Sequence, residues 1–149
     1  MNGEILDRLE RENIELATVN KRGWAYFIDE IIVSILFSFI YWDHISGAKT
    51  PEEMILVINT SFYYVVLLKI IYQTFFVWQY GATPGKMFLK IQIIDRNIFE
   101  KPSFISALNR AVVRIFSEMF FYLGFIWAFL NPLKETWHDK LAKTLVIDV

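Results

Sequence analysis

RGWAYFIDEIIVSILFSFIYW, Arg22 to Trp42, decides how this chain folds. From Trp24 onward the run is almost wholly apolar. As a helix it spans about 28 Å, close to the roughly 30 Å of a bilayer's hydrocarbon core. Trp24 at one end and Tyr41 and Trp42 at the other suit the headgroup zones, where an amphipathic ring keeps its polar edge wet. Asp29 stands inside the run and Arg22 just before it. An ionised carboxylate among lipid tails costs about 2.5–3.5 kcal/mol on insertion scales, so one that is kept there is paired or used. Asp29 is the first candidate for a site.

Working outward, MNGEILDRLERENIEL at the start lacks a basic n-region and a short apolar h-region. The first apolar segment is therefore expected to remain as an anchor. Residues 1–21 read as a polar cytoplasmic arm, disordered or a short surface helix with Ile5, Leu6, Leu9 and Leu16 as a weak apolar stripe. Asp43 to Glu53 is a polar loop broken by Gly47 and Pro51. Met54 to Tyr80 is a second run, long enough to span with tilt, with Lys69 near its middle. Asn59, Thr60, Gln73 and Thr74 give it polar groups of the kind that bond across helices.

After the GATPGK turn, Gly81 to Lys86, the pattern changes to a two-residue alternation over 88–94, which predicts a strand. Asp95-Arg96-Asn97 reads as a turn, and Ser103 as the cap of a third apolar helix from Phe104 towards Leu130, weakened at Gly124 and stopped by Asn131-Pro132. Thr144 to Val149 is a second strand candidate, and 144–148 is expected to pair with 88–94 so that neither leaves its backbone unsatisfied.

The chain has 149 residues, 55% of them hydrophobic, above the roughly 45–50% of soluble domains. Its formal charge is −1, and no basic stripe interleaved with aromatics points to nucleic acid. Cysteine is absent, which removes disulfides, thiolate metal sites and cysteine nucleophiles. No catalytic triad, nucleophile elbow or carboxylate pair is visible, and no cofactor or metal site is called. GATPGK is not a phosphate-binding loop: three residues separate its glycines where four are required, and Met87 follows the lysine where Ser or Thr is required.

Lysine and arginine set the expected orientation. Lys21 and Arg22 precede the first span and Lys86, Lys90, Arg96 and Lys101 follow the second, whereas the loop between carries only Lys49. The N terminus and residues 81–103 are expected in the cytoplasm, and residues 43–53 outside. The third helix either spans or, with Arg110, Arg114 and Glu118 on one face, lies at the interface until about Glu118, then dips in and returns.

Arg22 and Asp29 share a helix face about 10 Å apart, too far for a direct bond without Arg22 reaching inward. Lys69 is the expected partner of Asp29, with Glu30 competing for it from a neighbouring face. Three readings stand: a structural ion pair docking two helices, a carboxylate that binds a proton or cation, and a carboxylate kept neutral by desolvation. Lys86 is read as an anchor to anionic headgroups. In WHDK, Asp139 caps a short helix, or joins the cluster of Arg22 and Asp29, or bonds Arg110; His138 reads as a surface histidine beside an interfacial Trp137.

Together, RGWAYFID (Arg22 to Asp29), GATPGKMFLKIQIID (Gly81 to Asp95), PSFISALNRAVVR (Pro102 to Arg114) and WHDKLAKTLVID (Trp137 to Asp148) resemble the RDD family, named for one arginine and two aspartates in a small multi-helix membrane domain. By position Arg22 matches the arginine, Asp29 the first aspartate and Asp139 the second. Gly81, Thr83, Gly85 and Lys86 match the family's Gly-x-Thr-x-Gly-Lys turn. Asn97 stands where glycine is common, tolerable because Asn enters left-handed turns. The resemblance implies transport of an unidentified ligand, with sodium-proton exchange suggested for some members.

The expected protein is thus an all-α integral membrane protein of a bacterial inner membrane. It has two transmembrane helices, a third interfacial, re-entrant or spanning helix, and a cytoplasmic two-stranded element, with residues 22–149 as the membrane domain. The bilayer is its partner, and a small cation or solute its cargo. So few spans enclose no pathway alone, so homo-oligomers are expected. The competing function is a non-transporting assembly module whose Arg/Asp/Lys cluster is structural.

Overall fold

The computed structural model describes residues 2–120 and 123–149. Helix α1, Asn2–Arg11, forms because Ile5, Leu6 and Leu9 recur on one face, and Leu9 is buried. Residues 15–17 then run alongside the C-terminal segment: Leu16 bridges antiparallel to Ile147, and Ala17 N–H donates to the Val146 carbonyl at 3.0 Å.

Thr18 caps α2, Val19–Ile40, its hydroxyl accepting from Lys21 N–H. The helix thus begins five residues before Trp24 and carries Arg22 within its first turns. A short α3, Trp42–Gly47, follows. Thr50 and Pro51 start α4, Pro51–Tyr80, and Gly81 at φ +69° ends it, donating to the Val77 carbonyl. Both α2 and α4 are long and apolar enough to cross a membrane.

Thr83 caps a single helical stretch, α5, Pro84–Phe88. This corrects the expected strand over 88–94: a cap and a proline at the first position take Met87 and Phe88 into the helix, and Lys90 turns the chain at φ +57°. The strand β1 is Ile91–Asp95. In the turn after it Phe99, not Asn97, takes the left-handed conformation, while Asn97 N–H donates to Asp95 Oδ1.

Ser103 caps α6, Phe104–Met119. The expected single helix over 104–130 breaks at Phe120, followed by α7, Leu123–Ile126, and a 3-10 turn, Trp127–Phe129; residues 121 and 122 of that expectation lie outside the described residues. Helix α6 packs obliquely along α4. Phe104 meets Trp78 and Glu118 meets Lys69, so about 21 Å of α6 advances some 14 Å along α4. Helix α8, Trp137–Ala142, and β2, Thr144–Asp148, complete the chain.

The strands pair, as the sequence pattern foretold, and do so antiparallel with Ile93 opposite Val146. Both faces are covered. Ile91, Ile93 and Val146 pack against Ala17, Ala25, Val77 and Ala107, from the linker, α2, α4 and α6. Ile94, Leu145 and Ile147 pack against Leu9 and Leu133. The core therefore sits where α2 begins and α4 ends. Away from it the long helices are bare: Phe39 is 80% exposed and Tyr63 74%.

Candidate functional site

Three polar groups meet at this packed end. The first is built on Asp29, which is 1% exposed. Its Oδ1 accepts from the Tyr72 hydroxyl and from Gly85 N–H, each at 2.9 Å, and its Oδ2 accepts from the Thr83 hydroxyl at 2.5 Å. The GATPGK turn is thus clasped onto α2 by a carboxylate. Gly85 is required for the approach: a Cβ there would lie 2.3 Å from the Ala25 carbonyl and 2.8 Å from Asp29 Oδ1. The expected Asp29–Lys69 pair does not form, because the turn reaches Asp29 first and both oxygens are occupied.

The second group is centred on Asp139, wholly buried on α8. Arg22 donates to its Oδ2 at 2.5 Å and Arg110 to its Oδ1. Thr136 N–H also donates to Oδ2, closing a capping box with the Thr136 hydroxyl. Of the roles weighed for Asp139, the bonds to Arg22 and Arg110 both form; the helix cap is Thr136, with Asp139 its capping-box partner three residues on, and Asp29 belongs to a separate clasp. Burial alone would raise this carboxyl; Arg22 and Arg110 outweigh it and hold it well below the ordinary range.

The third is a quartet. Lys69 pairs with Glu30 at 3.0 Å and Glu118 at 2.8 Å. Arg114 lies 3.6 Å from Glu30 and 3.7 Å from Glu118, its guanidinium 4.7 Å above the Tyr26 ring. Glu30 and Lys69 each stand eleven residues from the packed ends of α2 and α4, roughly 16 Å along each axis. The face of Arg110, Arg114 and Glu118 thus points inward, not to a membrane surface, because each residue meets an opposite charge from another element. Glu118 Oε1 has no hydrogen bond.

Beside these groups lies a cavity of about 600 Å³ between the start of α2, the turn, α6 and the segment from Phe125 to His138. Lys86 and His138 line it, and both are buried where the sequence reading put them at a surface. Lys86 points inward, only 9% exposed, because the clasp on Asp29 turns α5 towards the core. Burial lowers its ammonium to about 7, with Asp29 opposing and Arg114, Arg110 and Arg22 adding to the fall. His138 is buried, not a surface residue. Burial, with Arg110, Arg22 and Arg114 nearby, holds it well below its ordinary value against Asp139, and it stays neutral at pH 7.

Sequence reasoning missed Tyr72 and Thr83 as partners of Asp29. A tyrosine in a greasy helix carries no signal of its own. Thr83, inside a matched turn, was the one readable clue.

The sequence model described as RDD family matches residues 16–143. The chain is also 31% identical over 71 residues, 47% of its length, to an uncharacterized protein of Rickettsia prowazekii. That match spans 39% of the relative's own length. No solved structure matches.

Proposed function

The chain belongs to the RDD family, and from that premise we propose that it is an integral membrane module for the passage of a small cation, exchanged against protons. In this reading α2 and α4 cross the bilayer of a bacterial inner membrane, with the N terminus and the sheet on the cytoplasmic side. The lysine and arginine bias supports that orientation. Copies of the chain associate through the bare halves of the long helices, and no chemistry is done on the solute.

The observation that carries the reading is the quartet of Glu30, Lys69, Glu118 and Arg114. Two acids and two bases from three helices share one another, so releasing a single pairing frees a carboxylate for a cation or proton at little cost in charge. Asp29, the sequence candidate, is saturated by three donors and suits this task less well. The assay is cation-driven proton movement in sealed vesicles holding the purified chain. Glu30→Gln and Glu118→Gln should each abolish it while Asp29→Asn leaves a measurable rate. No flux from wild-type vesicles would overturn the reading.

The saturation of Asp29 and Asp139 favours a second reading, a non-transporting assembly module whose charges only hold helices together. It predicts that Glu30→Lys combined with Lys69→Glu restores full behaviour.

A further inference from the structure

The 600 Å³ cavity is distinct in chemistry from the quartet that carries the transport reading. Arg22, Lys86, Arg110 and Arg114 all line it, and no carboxylate does. The cations are incompletely neutralised. Arg22 and Arg110 divide one carboxylate, that of Asp139. Arg114 reaches its acids only at 3.6 and 3.7 Å. The Lys86 ammonium makes no ion pair or hydrogen bond to any described residue. His138, 4% exposed, also lines the space, and its Nδ1 has no hydrogen-bond partner among the described residues. A buried imidazole nitrogen left unbonded within a basic cavity is a polar atom available to a ligand.

Most of the remaining wall is apolar, with Asn20, Gln73 and Thr136 as polar exceptions. Trp24, 62% exposed, and Phe129, 70% exposed, are the most exposed of the large apolar residues lining the cavity. A free inorganic anion would waste that surface. A molecule with an anionic head and a greasy body satisfies both halves.

We propose that this cavity holds the phosphate headgroup of an anionic phospholipid, with its acyl chains leaving past Trp24 and Phe129. Lys86 and Arg114 supply charge-assisted bonds to the phosphate oxygens, and His138 adds a neutral polar contact. The site needs no transport activity and stands if the exchange reading falls.

The test is calorimetric binding of short-chain lipids to the full-length purified chain in mild detergent. Dioctanoyl phosphatidylglycerol should bind about tenfold or more tighter than dioctanoyl phosphatidylcholine, whose phosphate offers the same oxygens but whose choline cation is repelled by Arg22, Lys86, Arg110 and Arg114. Lys86→Gln should erase most of that preference. Asn20→Glu, an exposed residue at the rim, places a repelling charge without touching the core and should weaken phosphatidylglycerol several-fold. Inorganic phosphate should fail to compete. Equal affinity for the two lipids, indifference to Asn20→Glu, or displacement of the lipid by inorganic phosphate at similar concentration would each overturn the proposal.

Discussion

The two buried aspartates and the Glu30–Lys69–Glu118–Arg114 quartet lie in the same protein within a few helical turns, yet their bonding differs in kind. Asp29 and Asp139 are each held by three donors, two of the six being backbone N–H groups that cannot turn away. The quartet is joined only by side chains, two of its contacts are long, and one carboxylate oxygen is unbonded. Charges fixed by backbone donors set architecture, because their partners have no alternative. Charges that share flexible partners retain alternatives, and a group with alternatives is able to gain and lose a proton or an ion.

The largest effect should fall on Asp139. Asp139→Ala strands two buried guanidiniums and should cost about 3–5 kcal/mol, read as loss of folded protein in detergent or a steep fall in unfolding midpoint. Replacing the whole group, Arg22→Met with Arg110→Met and Asp139→Leu, should be milder than the single change, since no charge is then left without a counterpart. A triple variant worse than Asp139→Ala would break the assignment of this group to architecture.

Next comes the clasp. Asp29→Ala leaves the Tyr72 and Thr83 hydroxyls and Gly85 N–H without their acceptor and should cost about 2–3 kcal/mol. Gly85→Ala attacks the same contact from the other side and should cost about 1–3 kcal/mol through the clash with the Ala25 carbonyl. Thermal unfolding of both variants and of their combination measures the coupling. Strict additivity would show that the turn and α2 are not joined through this carboxylate.

Against these, the quartet should give little stability and much function. Lys69→Met with Glu30→Gln should shift stability by under about 1 kcal/mol, because the remaining Arg114–Glu118 pair still neutralises itself. Vesicle flux, by contrast, should vanish. A double variant that unfolds would move the quartet into the class of Asp29 and Asp139 and remove the difference between them.

Much of this was legible in the chain. The two-residue alternation over 88–94, though begun three residues too early, and the apolar tail at 144–148 were enough to pair the strands, and two long apolar runs marked α2 and α4. The charge partners were less so. Asp29 and Lys69 are alike in being charges within apolar runs, and pairing them follows from depth alone. What decides the outcome is that Gly85, by lacking a Cβ, lets a backbone N–H come close enough to take the carboxylate first. Lys69 then turns to Glu30 and Glu118. Lys86 was misplaced for the same reason, since a lysine after a turn reads as a surface anchor until the turn is seen clasped inward. His138 gave no warning at all, because its burial depends on the break in the third helix at Phe120.

The pH response of Lys86 completes the comparison, and it tests whether the basic cavity belongs with the fixed charges or the exchangeable ones. Around its ammonium stand Asp29 and Arg22 from α2, Arg110 and Arg114 from α6, and neutral His138 from α8. Its folded value, about 7, lies below the ordinary 10.5. Between those two values the unfolded chain holds a proton that the folded chain has released. The Lys86 contribution therefore favours folding more as pH rises across that window, and is lost as pH falls through about 7. Lys86→Met should flatten the rise in unfolding midpoint between pH 7 and 9 without altering the trend below pH 6. Lipid binding should run the opposite way, because an anionic headgroup needs the ammonium form. Affinity for dioctanoyl phosphatidylglycerol should fall as pH rises through 7, with proton uptake visible as a buffer-dependent heat. An affinity flat from pH 6 to 9, with Lys86 intact, would place its charge among the fixed ones and leave Arg22, Arg110 and Arg114 to account for any anion the cavity holds.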